Sequence, residues 1–219
     1  SKALGIPLVN VLRKEKPFKN PFPLGNILGG GAHAGPGTPD IQEILVCPLG
    51  AKDITQALQM NFKVHLELRR VIESVDKSFT YGRGDEGAWA PRTNNEKALE
   101  LAEQAIKNSG FEIGKDIGLG IDFASSSLWN NDKQYYEYKR EQSSRSTDEQ
   151  IDYVNSLIQK YALIYVEDPV HEEDFLGMAE LTKKNRNCLV SGDDIGNQLA
   201  FQPEDLVLEA KLALLQALQ

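Results

Sequence analysis

At 219 residues, 41% hydrophobic and 26% charged, the chain is long enough for one substantial domain or two small ones, and its composition is that of a folded globular protein. A net charge of -8 and a pI near 5.0 argue against nucleic acid as a partner, because backbone binding rests on clustered Lys and Arg. Cys47 and Cys188 lack CxxC spacing or a His/Cys cluster, which speaks against a disulfide framework or zinc site, and no apolar stretch reaches the ~18 residues of a membrane span, so a reduced, cytoplasmic location is expected.

The chain starts with Ser1 in mid-pattern, as a piece of a longer protein would. SKALGIPLVNVL reads as the end of a helix and an apolar turn; Pro17, Pro21 and Pro23 then interrupt regular structure, so a boundary is expected near residue 20. PLGNIL (23–28) and QEILVCP (42–48) read as strands on either side of a glycine-rich loop, GGGAHAGPGTPD. Over residues 53–76, Ile54, Leu58, Phe62, His65, Leu68, Ile72 and Val75 recur at three or four, which predicts a long amphipathic helix with these side chains inward. His65 is then a core histidine with a hydrogen-bond partner rather than a metal ligand. A capping box at Thr93 and Glu96 announces a second helix, and one at Ser146 and Glu149 a third with Ile151, Val154, Leu157, Ile158 and Tyr161 on one face. Between a strand at 117–122 and the third helix, the polar, tyrosine-rich 128–145 reads as a surface hairpin or excursion. Strand 163–166, helix 172–184, strand 188–191 and a helix from Pro203 then alternate, the pattern of βαβ units and a parallel sheet.

Three acids, Asp122, Glu167 and Asp193, each end a short apolar run, in DIGLGID, LIYVED and NCLVSGDD. In a parallel α/β barrel the carboxyl ends of successive strands converge on one face, and convergent carboxylates can share a divalent cation. Hard oxygen ligands favour Mg2+ over zinc. The alternative is that such acids cap the helices that follow, and that role is assigned to Asp168 and Asp194. Gly82, Gly84 and Gly87 form a literal G-x-G-x-x-G, but Asp85 and Glu86 stand where phosphates would approach, so it is read as a tight loop projecting an acid. Glu86, beside Trp89, is a candidate general acid with a raised pKa, against a solvated turn. His33 and Glu43, with Gln42 adjacent, bracket a loop that could close over a substrate, whereas His171 reads as part of an acidic first helical turn.

GGGAHAGPGTPDIQEILVCPLGA, GDEGAWAP, GIDFASS, VEDPVHEEDF and SGDD together resemble the enolase family (phosphopyruvate hydratase), in its archaeal and bacterial forms and in that family's order. The resemblance implies an α/β fold: a partial enolase-type (β/α) barrel over residues 21–219, with about five or six of the eight strands. Residues 1–20 would be the remnant of the family's α+β amino-terminal domain and linker. It further implies Mg2+-dependent interconversion of 2-phosphoglycerate and phosphoenolpyruvate in glycolysis and gluconeogenesis. Asp122, Glu167 and Asp193 would hold the first Mg2+, Glu86 would help the 3-hydroxyl leave with Glu43 assisting and Gln42 nearby, and His33 would lie on the loop over the substrate.

The family's lysine base is matched here by Gln216, which cannot take a proton, although the sequence from Pro203 to Leu218 also reads as one amphipathic helix. Two expectations follow: an enolase fragment with weak or no activity alone, or a catalytically degenerate relative that keeps the metal residues for a structural or binding role. Homo-oligomers are typical of the full-length family, through an interface that draws on the amino-terminal domain.

Overall fold

The computed structural model describes residues 2–6, 10 and 21–195; Gln216, the helix expected from Pro203 and most of the segment before residue 21 lie outside the described residues. Five strands form one sheet in the order β1 (Gly25–Gly29), β2 (Glu43–Cys47), β3 (Gly118–Asp122), β7 (Tyr165–Glu167) and β8 (Leu189–Ser191). β3, β7 and β8 are parallel, as the alternation predicts, but β2 is antiparallel to both its neighbours. The connections explain this. β1 and β2 are joined by a loop without a crossover helix, and between β2 and β3 the chain makes two helical passes, α1 (Ile54–Val75) and α2 (Asn95–Asn108), instead of one.

Pleating gives each strand two faces. Ile44, Val46, Leu119, Ile121 and Val166 enter a core shared with Val64 and Leu68 of α1, Leu99 and Ala102 of α2, and Val154 and Leu157 of α3 (Thr147–Tyr161). The alternate positions, Glu43, Gly118, Gly120, Asp122 and Glu167, therefore point to the opposite face. On α1 the buried stripe is Ala57, Met60, Val64, Leu68, Val71 and Ile72, not the expected one. Ile54, Leu58, Phe62 and Val75 are exposed. The sequence carries two overlapping apolar arcs at helical spacing that share Leu68 and Ile72, and packing against α2 and the sheet selects the arc that begins with the small Ala57.

Helix starts are set by side chains. Asp53 accepts a hydrogen bond from the Gln56 amide at 2.8 Å. For α2 the cap is Asn94, which accepts from the Lys97 amide at 2.9 Å, one residue beyond the expected Thr93. Glu96 is thereby released to pair with Lys160 at 2.6 Å. The capping box of α3 is formed, with Glu149 accepting from the Ser146 amide at 2.8 Å. α4 (Phe175–Lys184) starts later than expected, at the Asp174 cap. His171 precedes it and stacks on Trp129 at 4.4 Å between ring centres, outside the helical turn assigned to it from sequence.

The excursion is a three-stranded antiparallel sheet, β4 (Trp129–Asn130), β5 (Tyr135–Tyr138) and β6 (Ser143–Arg145). Two of its three tyrosines are core residues: Tyr136 and Tyr138 are fully buried, and Tyr138 donates to Gln150 at 2.7 Å. Arg145 lies against Tyr138 and Tyr153, 4.0 and 3.8 Å from the two ring centres. The excursion is fastened to the glycine-rich loop by Asp40. Its buried carboxylate accepts from the Arg140 amide at 2.9 Å and from the Glu141 amide at 3.2 Å. Among the described residues no helix is long and apolar enough to cross a membrane.

Replacing Asp40 leaves those amides without their charged acceptor. Asp40→Ala is expected to destabilise the protein by about 2 kcal/mol, the scale of hydrogen bonds to a charged group. Urea denaturation measures it, and a midpoint equal to wild type would mean that water replaces the carboxylate.

Candidate active site and metal centre

Glu43 begins β2, Asp122 ends β3 and Glu167 ends β7. Because β2 runs against its neighbours, these three residues meet at one end of the sheet, paired directly as Glu43 with Asp122 and Asp122 with Glu167. Gly29 continues the row on one side and Ser191 on the other. Residues opposite each other in register share a face. Asp193 follows two positions after β8 and is exposed.

The Glu86 turn reaches this row along the outer side of β1. Residues 82–90 fold back on themselves through Gly84 amide to Ala88 carbonyl and Ala90 amide to Gly82 carbonyl bonds, both 2.9 Å. Gly29 then donates to the Trp89 carbonyl at 2.9 Å, and Trp89 donates to the Ile27 carbonyl at 3.1 Å. The Trp89 ring is a buried anchor, stacked on His65, and its indole N–H donates to the His65 carbonyl at 2.7 Å. His65 has the partner expected of it, its Nε2 lying 3.1 Å from the Gly87 carbonyl, and burial pushes its pKa down. Gly84 must be glycine, since a Cβ there would sit 2.6 Å from the His33 carbonyl.

Two groups result, each with potential ligand atoms within 4.8 Å of one another: His33, Glu43 and Glu86, and Glu167, Asp168 and Asp193. His33 Nδ1 lies 3.3 Å from Glu86 and 3.8 Å from Glu43. Asp122 and Gln42 stand between the groups: Gln42 donates to Asp122 Oδ2 at 3.0 Å, and the Ala124 amide donates to Oδ1 at 2.9 Å. Two participants were not read from the sequence. Tyr165 donates to Glu167 at 2.7 Å, and Asp168, assigned there to capping the helix that follows it, is buried and does not cap α4, whose cap is Asp174. The alternation of Tyr165 with Val166 along β7 was the available signal for the first.

Electrostatics reverses one expectation. Burial, and then the hydrogen bond to Glu86, push Glu43 up to about 9. Glu86 is held below the usual carboxylate range by the hydrogen bond from Glu43, with Asn26 donating to it at 2.9 Å. The proton of the pair therefore resides on the more buried Glu43. Burial and repulsion from Glu167 push Asp122 up to about 7. Burial and the neighbouring Asp193 carboxyl push Asp168 up to about 8.

Comparison with known proteins gives one consistent answer. Residues 17–201 match the family model described as the enolase C-terminal TIM barrel domain. The chain is 47% identical to an enolase of Methanosphaera stadtmanae over 196 residues, which is 89% of this chain and 47% of that protein. It is 43% identical to the enolase of Pyrobaculum aerophilum, with 88% of this chain and 46% of the relative covered, and 42% identical to that of Methanothermobacter thermautotrophicus, with 89% and 47% covered. The chain thus spans about half the length of these relatives.

The raised Glu43 gives a pH dependence of unusual sign. Between its ordinary 4.5 and about 9 the folded protein holds a proton that the unfolded chain has released, so this stabilisation is lost as pH rises through that window. In chelator, Glu43→Gln is expected to match wild type in urea midpoint near about pH 5 and to exceed it near about pH 9. The opposite order would show that Glu43 is ionised in the folded protein.

Proposed function

The chain belongs to the enolase family, and we propose that its strand-end carboxylates form the Mg2+ site of an enolase-type hydro-lyase that interconverts 2-phosphoglycerate and phosphoenolpyruvate. The observation that carries this reading is the in-register row of Glu43, Asp122 and Glu167, with His33 and Glu86 brought to its Glu43 end. The reading makes the protein a cytoplasmic participant in glycolysis and gluconeogenesis. Residues 21–219 would then be the barrel portion and residues 1–20 the remnant of a preceding domain. The full-length protein would be a homo-oligomer.

The residues fit a hard divalent cation. Asp122 and Asp168 are buried acids whose carboxyls are pushed up by burial and by neighbouring acids, the mark of negative charge without a counterion among the described residues. Asp122, Glu167 and Asp193 would hold the ion. When bound, Mg2+ would supply positive charge to neutralise the carboxylate of the substrate.

The chain's own side chains perform the rest. Gln42 and the Ala124 amide fix both oxygens of Asp122, and Tyr165 fixes Glu167, so these two acids are oriented by second partners rather than by the ion alone. Glu43 stores a proton at neutral pH, and Glu86, linked to it and open to solvent, is placed to pass that proton to the departing 3-hydroxyl. His33 Nδ1 lies 3.3 Å from Glu86 and 3.8 Å from Glu43, and His33 stands on the loop that would cover the phosphorylated substrate.

Isothermal calorimetry of Mg2+ binding tests the reading. Asp122→Asn keeps the shape of the residue but removes its charge, and it is expected to weaken Mg2+ binding by about tenfold or more. Unchanged affinity would remove Asp122 from the site.

A further inference from the structure

We infer that Asp168 is a member of the cation site: one carboxylate oxygen takes the Asp194 amide and so straps the segment after β8 to β7, and the other faces the cation or a water on it. This inference rests on the cation reading above. Asp168 is only 2% exposed, and its ligand atom lies within 4.8 Å of those of Glu167 and Asp193. The Asp194 amide donates to Oδ2 at 3.3 Å. Among the described residues Oδ1 is buried without a hydrogen-bond donor. A buried, unpartnered carboxylate oxygen is costly to keep in a folded protein. A divalent cation, or a water that the cation orients, supplies the missing positive partner.

The backbone holds this orientation firmly. Asp168 has φ of 39°, in the left-handed region that is strained for a residue with a side chain. It is kept there by its amide, which donates to the Ser191 carbonyl at 3.0 Å, and by its carbonyl, which accepts from the Ser125 amide at 3.1 Å. The ends of β3, β7 and β8 are thereby tied together at one residue. Gly192 leaves room for the carboxylate, since a Cβ there would meet Oδ1 at 2.9 Å.

The test is calorimetric Mg2+ titration of wild type, Asp168→Asn and Asp122→Asn, together with melting temperatures in chelator. The asparagine keeps an acceptor for the Asp194 amide and removes the charge. Asp168→Asn is expected to lose about tenfold or more in Mg2+ affinity, while its metal-free melting temperature equals or exceeds wild type. Affinity within about twofold of wild type would overturn the inference. A lost affinity accompanied by a lowered metal-free melting temperature, or by failure to fold, would assign Asp168 to the strap alone and overturn its cation-facing role. If wild type and Asp168→Asn bind alike while Asp122→Asn does not, only the inference about Asp168 fails. A wild type without Mg2+ binding would sink the cation reading and this inference with it.

Discussion

The register between β2, β3 and β7 is the constraint on which the site depends. Sliding any of these strands by one residue would turn Ile44, Ile121 or Val166 out of the core, so the apolar pattern specifies the pairing. The same pairing forces Glu43, Asp122 and Glu167 onto one face at one end, where repulsion and burial act against their charges. Hydrophobic burial thus holds an arrangement that the acids alone would dissolve. The relief comes from a proton kept on Glu43, donors from Gln42 and Ala124 to Asp122, and the Tyr165 hydroxyl on Glu167.

Around that row, segments whose composition favours mobility are fixed by a few buried attachments. The loop carrying His33 is rich in glycine, yet Asp40 near its end accepts backbone amides from the excursion, and the buried Asn95 side chain accepts from the Ile41 amide at 3.1 Å. The Glu86 turn leans on Trp89, whose ring and indole N–H are both engaged by His65. In each case the anchor is buried within a few residues of an exposed or half-exposed functional group, so position is fixed without enclosing the site.

What was legible in the sequence follows from how local the determining interactions are. The acids at the ends of β3 and β7, the α3 capping box and the alternation after β3 depend on neighbours a few residues away, and they were read correctly. The direction of β2 was missed because it depends on the number of helical passes between strands. The buried face of α1 was missed because two apolar arcs compete and only tertiary packing chooses between them. The proton on Glu43 rather than Glu86 follows from relative burial across a long-range contact, and Asp168 from a backbone twist that no propensity announces.

The inner face of β3 shows how fold and site constrain each other. Its inward positions before Asp122 are Gly118 and Gly120, although glycine weakens a strand. A Cβ at Gly118 would strike the Ile164 side chain, and one at Gly120 would lie 3.1 Å from the Tyr165 Cβ. The tyrosine needs that room to place its hydroxyl on Glu167. The acid on β7 is therefore oriented by a residue two positions earlier, which fits only because the adjacent strand has no side chains there. The strand weakened by those glycines is the central one of the five, paired on both sides, by β2 and β7, so the cost of the glycines falls on a strand held along both edges.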